Sequence, residues 1–250
     1  MSACPDGRCD GSGFVYDEGA RRASDCSCRP RRLARRKARK LAGVIPPRFQ
    51  GVSFDRAPVT HMDQKVVRAV RRYVDSLAKQ LEEGRGIWFL GDVGTGKTTL
   101  AMLVSAEALR GGHSVAIYSL PRLLGLLRET FNDESEASLA ELLDRLAAVE
   151  LLHIDDVGAE QTSPWVLEQL YTIINTRYED RRSIVVTTNL DDVALREQIG
   201  DRTVSRLVEM CGDPLPLFGA DHRMEAEIVL PTGDEPLPYG APGARPFAAS

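Results

Sequence analysis

Gly91-Asp-Val-Gly-Thr-Gly-Lys-Thr98 is the most informative motif in the chain. It meets the pattern G-x-x-x-x-G-K-[ST] at every fixed position. Ile87-Trp-Phe-Leu90 precedes it, a short apolar run between Gly86 and Gly91 that reads as a buried strand. Thr99 to Leu109 follows without Gly or Pro and reads as a helix. Strand, glycine loop and helix in that order are the setting in which such a loop cradles phosphate.

The chemistry needs these residue types. Gly91, Gly94 and Gly96 let the backbone curl until successive N–H groups converge on an anion. The helix start adds unpaired N–H groups and the positive end of its dipole. Lys97 can reach the β- and γ-phosphates, and Thr98 can offer its hydroxyl to Mg²⁺. The candidate nucleotide-binding set is therefore Gly91, Asp92, Val93, Gly94, Thr95, Gly96, Lys97, Thr98 and Thr99.

Outward from the loop, strands and helices alternate. Val115 to Leu120, Leu151 to Ile154 and Ile184 to Thr188 read as strands, and Leu215 to Phe218 as a fifth. His61 to Glu83 is a helix by the spacing of Val66, Val70, Tyr73, Leu77 and Leu81. Pro121 to Phe131, Leu139 to Val149, Ser163 to Tyr178, Asp191 to Ile199 and Arg202 to Met210 are the other helices, with a polar loop at 132–138. The expected fold is α/β, a parallel five-stranded sheet flanked by helices, with ligands at the carboxyl ends of the strands.

Those strand ends carry acids. Asp155-Asp156 closes Leu151-Leu-His-Ile154. Beside the glycine loop, Asp155 can hold Mg²⁺ directly or through water, and Asp156 can orient or deprotonate an attacking water. Either can instead cap the turn at Val157-Gly158, while His153 reads as a packed residue. Asn189 ends the fourth strand, where its amide can position the water or simply lead into the next helix. Arg202, Arg206 and Arg223 follow; an arginine presented to a neighbouring subunit's γ-phosphate stabilises transition-state charge, whereas one left in solvent does nothing.

The chain has 250 residues, 43% hydrophobic and 27% charged, ample for a core. No apolar run approaches the roughly 18 residues of a membrane span, and the N-terminus lacks a signal-peptide core. A cytoplasmic protein is expected. The net charge of −4 is uneven: residues 1–50 hold 12 Lys/Arg against 5 Asp/Glu, so +7, which leaves −11 for the rest. A basic head suits an anionic partner.

Four of the five cysteines fall in the first 28 residues. Cys4 and Cys9 form one close pair and Cys26 and Cys28 another, with Gly11-Ser-Gly13 able to turn the chain between them. Four thiolates so arranged can hold a tetrahedral Zn²⁺; free thiols on an unfolded tail are the alternative. Residues 29–42 carry eight basic residues and no acid, either a basic helix or a solvated linker. Pro46-Pro47 ends that run. The organisation expected is 1–43 Cys-rich and basic, 44–230 nucleotide-binding, and 231–250 a Pro/Gly-rich disordered tail.

Together these motifs resemble the AAA+ ATPases of the DnaC/DnaI type, which load replicative helicases in bacteria and phages. IstB-like proteins share the ATPase motifs. The resemblance covers about residues 44–224. It is carried by Ile45-Pro-Pro-Arg-Phe49, the glycine loop, Leu151-Leu-His-Ile-Asp-Asp-Val-Gly-Ala-Glu160, Thr187-Thr-Asn-Leu190, Arg202-Thr-Val-Ser-Arg206-Leu207 and Asp221-His-Arg223. It implies ATP and Mg²⁺ as cofactors, Asn189 as sensor 1, Arg206 as arginine finger with Arg202 as runner-up, and Arg223 as sensor 2. It also implies a hexameric replicative helicase as partner, single-stranded DNA in the assembly, self-association through the ATP site, and zinc in the Cys-rich head. One departure stands out: many AAA+ proteins have Asp-Glu where this chain has Asp155-Asp156, and the shorter acid predicts slow hydrolysis. The competing expectations are an IstB-type transposition helper and a zinc-containing adaptor in which ATP is structural.

Overall fold

The computed structural model describes residues 4, 7–17, 19, 21–29, 45–130, 138–158 and 163–219. The basic run beyond Arg29, most of the loop at 132–138, Arg223 and the 231–250 tail lie outside the described residues.

A small hairpin comes first. β1 (Phe14–Asp17) pairs antiparallel with β2 (Arg22–Asp25), Phe14 opposite Asp25. Beyond it lie α1 (Gln64–Asp75), α2 (Leu77–Glu82), β3 (Ile87–Gly91) and α3 (Lys97–Arg110). Next come β4 (Val115–Ser119), α4 (Leu120–Glu129), α5 (Leu139–Ala148) and β5 (Leu151–Asp155). The run closes with α6 (Pro164–Glu179), β6 (Ser183–Thr188), α7 (Asp192–Ile199), α8 (Asp201–Cys211) and β7 (Leu215–Leu217).

Among the described residues the main sheet has five strands in the order β4-β5-β6-β3-β7, all parallel. Side chains alternate across it, so each strand feeds two cores. Trp88, Leu152, Ile154, Ile184 and Val186 pack under α4 to α8. Ile87, Phe89, Leu151, Val185 and Leu217 pack under α1 to α3. This is the expected sheet, and its central strands β3, β5 and β6 carry the candidate site at their carboxyl ends.

The single helix expected over 61–83 is instead two. Asp63 caps Lys65 N–H at 2.7 Å, so the helix begins at Gln64. Ser76 then leaves helical geometry and its hydroxyl donates back to Arg72 O at 3.0 Å. Such back-bonding competes with the helix ladder and bends the chain, although the apolar stripe continues into Leu77 and Leu81.

Arg177 ties the layers together. It is fully buried on α6, and its guanidinium donates to five carbonyls: Leu146, Ala147, Val149, Glu150 and Ser183. It thereby caps the end of α5 and holds the starts of β5 and β6.

Candidate functional site

The glycine loop sits between β3 and α3. Gly91 has φ of 150°, and a Cβ there would lie 1.8 Å from Leu217 O, so β7 can pass only a glycine. Gly96 is left-handed (φ 96°) at the cap of α3, and a Cβ there would strike the Met62 side chain at 2.2 Å. The segment before α1 is thus packed onto the loop. Thr95 donates to Asp92 O at 2.8 Å, and buried Lys97 donates to Gly91 O at 2.8 Å and to Asp92 O. The cradle is held from within, its rim of Asp92 and Val93 is exposed, and the N-terminal amides of α3 face it.

Across the cradle stands Asp155. Thr98 Oγ1 donates to its Oδ1 at 3.0 Å, and Thr187 Oγ1 donates to the same oxygen at 2.7 Å. Thr187 Oγ1 also accepts the Asp156 N–H at 2.8 Å, and its carbonyl accepts the Val157 N–H at 2.8 Å. Burial pushes the Asp155 carboxyl up, but His153, Thr187 and Thr98 outweigh it and hold the carboxyl below its ordinary range. A hydroxyl and an ionised carboxylate 3.0 Å apart beside an anion cradle are a donor set that suits Mg²⁺. Asp156 has a left-handed backbone (φ 57°), a region that Asp tolerates better than most residues.

Other expected residues are placed less closely. Thr99 is half-buried in the first turn of α3, and Asn189 is exposed just past β6. Arg206, on α8, lies over the Tyr178 ring at 4.2 Å, donates to Asn175 Oδ1 at 3.2 Å and pairs with Glu209 at 2.9 Å. Arg202 is exposed at the start of α8, and Arg223 lies outside the described residues. His153 is packed, as expected, with Ser105 beside it at 3.0 Å; Thr187 lay in a quoted motif, but its bond to Asp155 was not read from it. Threonine is an ordinary strand residue, and the only signal was its place two residues before Asn189.

In the hairpin region Cys4, Cys9, Cys26 and Cys28 converge, every sulfur within 4.8 Å of the others. Cys4 and Cys26 sulfurs are 3.8 Å apart, and Cys9 and Cys28 sulfurs 3.6 Å. A zinc tetrahedron with Zn–S of ~2.3 Å needs S···S of ~3.8 Å, so the four residues fit. Gly13 O accepts the Cys26 N–H at 2.9 Å, which folds the second pair back on the first. Burial and the neighbouring thiols push the Cys28 thiol up to about 12.

The chain is similar to known proteins in sequence and fold. DnaC, the replicative helicase loader of Buchnera aphidicola subsp. Schizaphis graminum, is 28% identical over 181 residues, 70% of this chain and 72% of its own. The phage-like element PBSX protein XkdC of Bacillus subtilis is 28% identical over 239 residues, 87% of this chain and 85% of its own. A crystal structure of the DnaC helicase loader superposes with a TM-score of 0.59 at 24% identity, covering 70% of this chain and 99% of that one. The family profile described as IstB-like ATP binding protein matches residues 28–209, well over half of the chain. With the parallel sheet and the glycine loop, that match makes the chain a member of the IstB-like ATP-binding protein family, in the AAA+ fold that DnaC shares.

Proposed function

We propose that this chain is an ATP-dependent loader of a replicative DNA helicase. The observation that carries the reading is the Thr98–Asp155 pair set across the glycine loop, in a chain whose relatives include DnaC loaders. In this reading Gly91 to Thr99 hold the phosphates, and Lys97 exchanges its loop carbonyls for phosphate oxygens. Thr98 and Asp155 hold Mg²⁺, which neutralises the phosphates. Asp156 orients or deprotonates the attacking water, and Asn189 positions it. Arg206 of one copy reaches the ATP of the next, and Arg223 serves as sensor 2. Its contact with Glu209 means that Arg206 must change partner to do so, which with the short Asp156 makes hydrolysis slow and dependent on assembly.

The organisation that goes with this is a zinc-holding, basic head over 1–43, an ATPase core over 44–230 and a tail over 231–250. Cys4, Cys9, Cys26 and Cys28 hold Zn²⁺, and the head docks on a hexameric helicase while the assembled cores hold single-stranded DNA. The site of action is cytoplasmic; among the described residues no helix is long and apolar enough to cross a membrane.

The test is co-purification with the helicase encoded nearest to the gene, with and without ATP. ATP-dependent recovery of the helicase supports the loader. The family profile favours one second reading, an IstB-type transposition helper, and recovery of a transposase instead would select it. An adaptor with structural ATP predicts partner binding that Lys97→Ala leaves intact. Zinc is read directly: one equivalent per chain in metal analysis is expected, and none would reject the zinc head.

A further inference from the structure

Ser105 and His153 make a buried polar pair where α3 packs on β5. Both are fully buried, Ser105 on α3 and His153 on β5, where its sheet neighbours are Ile117 and Val185. His153 Nδ1 lies 3.0 Å from Ser105 Oγ. A valine in that strand would pack without the desolvation cost of an imidazole. The second ring nitrogen, Nε2, has no hydrogen-bond partner among the described residues, yet it lies 3.9 Å from Asp155 Oδ1. Residues two apart on a strand share a face, so the ring stands directly behind the carboxylate that Thr98 and Thr187 grip from the other elements.

We propose that His153, oriented by Ser105, is a positioning residue for Asp155. It backs the carboxylate and presents an Nε2–H to it, restricting its rotation toward the Mg²⁺ position shared with Thr98. The inference rests on the reading of Asp155 as the Mg²⁺ carboxylate. The tautomer assigned is the one that turns an N–H rather than a lone pair toward the carboxylate. When the Ser105 hydroxyl donates to Nδ1, the ring proton sits on Nε2 and faces the carboxylate. The opposite assignment would aim a nitrogen lone pair at an anion. At 3.9 Å the contact is longer than a hydrogen bond, so the ring acts through its dipole and its bulk. That places the effect at the low end for groups behind a metal ligand, about tenfold.

The experiment is a Mg²⁺ titration of binding of a fluorescent ATP analogue to the full chain, comparing wild type with His153→Val, His153→Gln and Ser105→Ala. His153→Val raises the Mg²⁺ concentration for half-maximal binding by about tenfold, while affinity in EDTA stays at the wild-type value. His153→Gln, whose amide N–H reaches the place of Nε2, restores most of the Mg²⁺ dependence. Ser105→Ala shifts it in the same direction by less. In ¹⁵N spectra of the imidazoles, the signal lost in His153→Val is the Nε2–H tautomer in wild type and a mixture in Ser105→Ala. Wild-type Mg²⁺ dependence in His153→Val, or an Nδ1–H tautomer, overturns the proposal. Asp155→Asn separates the two levels. If it leaves the Mg²⁺ requirement unchanged, the reading of the site fails; if it shifts the requirement and His153→Val does not, only the role of His153 fails.

Discussion

Thr98 at the start of α3 donates a 3.0 Å hydrogen bond to Asp155 at the end of β5, although 57 residues separate them in the chain. The bond joins the helix that presents phosphate-binding amides to the strand that presents the acids. It exists because β3 and β5 run parallel on either side of β6 and point their carboxyl ends the same way. Strand β6 contributes the second hydroxyl on the same oxygen through Thr187.

Thr187→Val tests that second hydroxyl. The variant keeps the shape of the side chain but removes both the bond to Asp155 and the acceptor for the Asp156 N–H. A buried donor left unpaired costs about 1–3 kcal/mol. The urea midpoint should fall accordingly, and ATP hydrolysis should drop by roughly tenfold. Thr187→Ser should restore hydrolysis more fully than stability, since it returns the hydroxyl but not the methyl.

Asp156→Asn should separate binding from turnover. The amide keeps the left-handed backbone and removes the base. Nucleotide affinity by fluorescence titration should stay near wild type while hydrolysis falls by about 10²–10⁴-fold. Equal loss of both would place Asp156 in binding instead.

Arg177→Met should unfold more easily at every pH. It strips the carbonyls of Leu146, Val149 and Ser183 of their donor in a buried site. The expected loss is about 3 kcal/mol in urea denaturation, and Arg177→Lys should recover only part of it, since one ammonium cannot reach the same spread of oxygens.

Glu150 gives the chain an acid limb. Burial pushes its carboxyl up, but His113 at 2.9 Å and the N–H and hydroxyl of Ser114, each at 2.9 Å, bring it down to about 2 from 4.5. A depressed carboxyl stabilises the fold above its unfolded value, and that contribution is lost as pH falls through the folded value. The stability difference between wild type and Glu150→Gln should therefore be full at pH 7 and shrink between about pH 4.5 and 2. Partial exposure keeps it to about 1 kcal/mol. A difference that persists unchanged at pH 2 would assign the effect to packing.

Much of the fold was legible because its signals are local. Gly91 to Thr98 carries its own pattern, and β3, β5 and β6 are apolar runs with punctuated ends. What was not legible depended on contacts the sequence does not display. The break at Ser76 arises from a hydroxyl choosing the Arg72 carbonyl, while the stripe from Val66 to Leu81 continues unbroken. The hairpin of β1 and β2 is short, and its Phe14 and Tyr16 are exposed, so it lacks the alternation of burial that marks a strand. The four cysteines were recognisable as a set by spacing, but their cross-pairing, Cys4 beside Cys26 and Cys9 beside Cys28, emerges only when the hairpin closes. Thr187 and His153 belong to residue types that fill strands for ordinary reasons, and only their distances to Asp155 distinguish them.

Loading itself is tested by a transfer assay with the full chain, the helicase and circular single-stranded DNA. Helicase retained on the DNA is measured with ATP, without nucleotide, and with Lys97→Ala. ATP-dependent transfer by the wild-type chain and background transfer by Lys97→Ala are expected. Equal transfer in all three conditions, or none with ATP and wild-type protein, would contradict the loader reading.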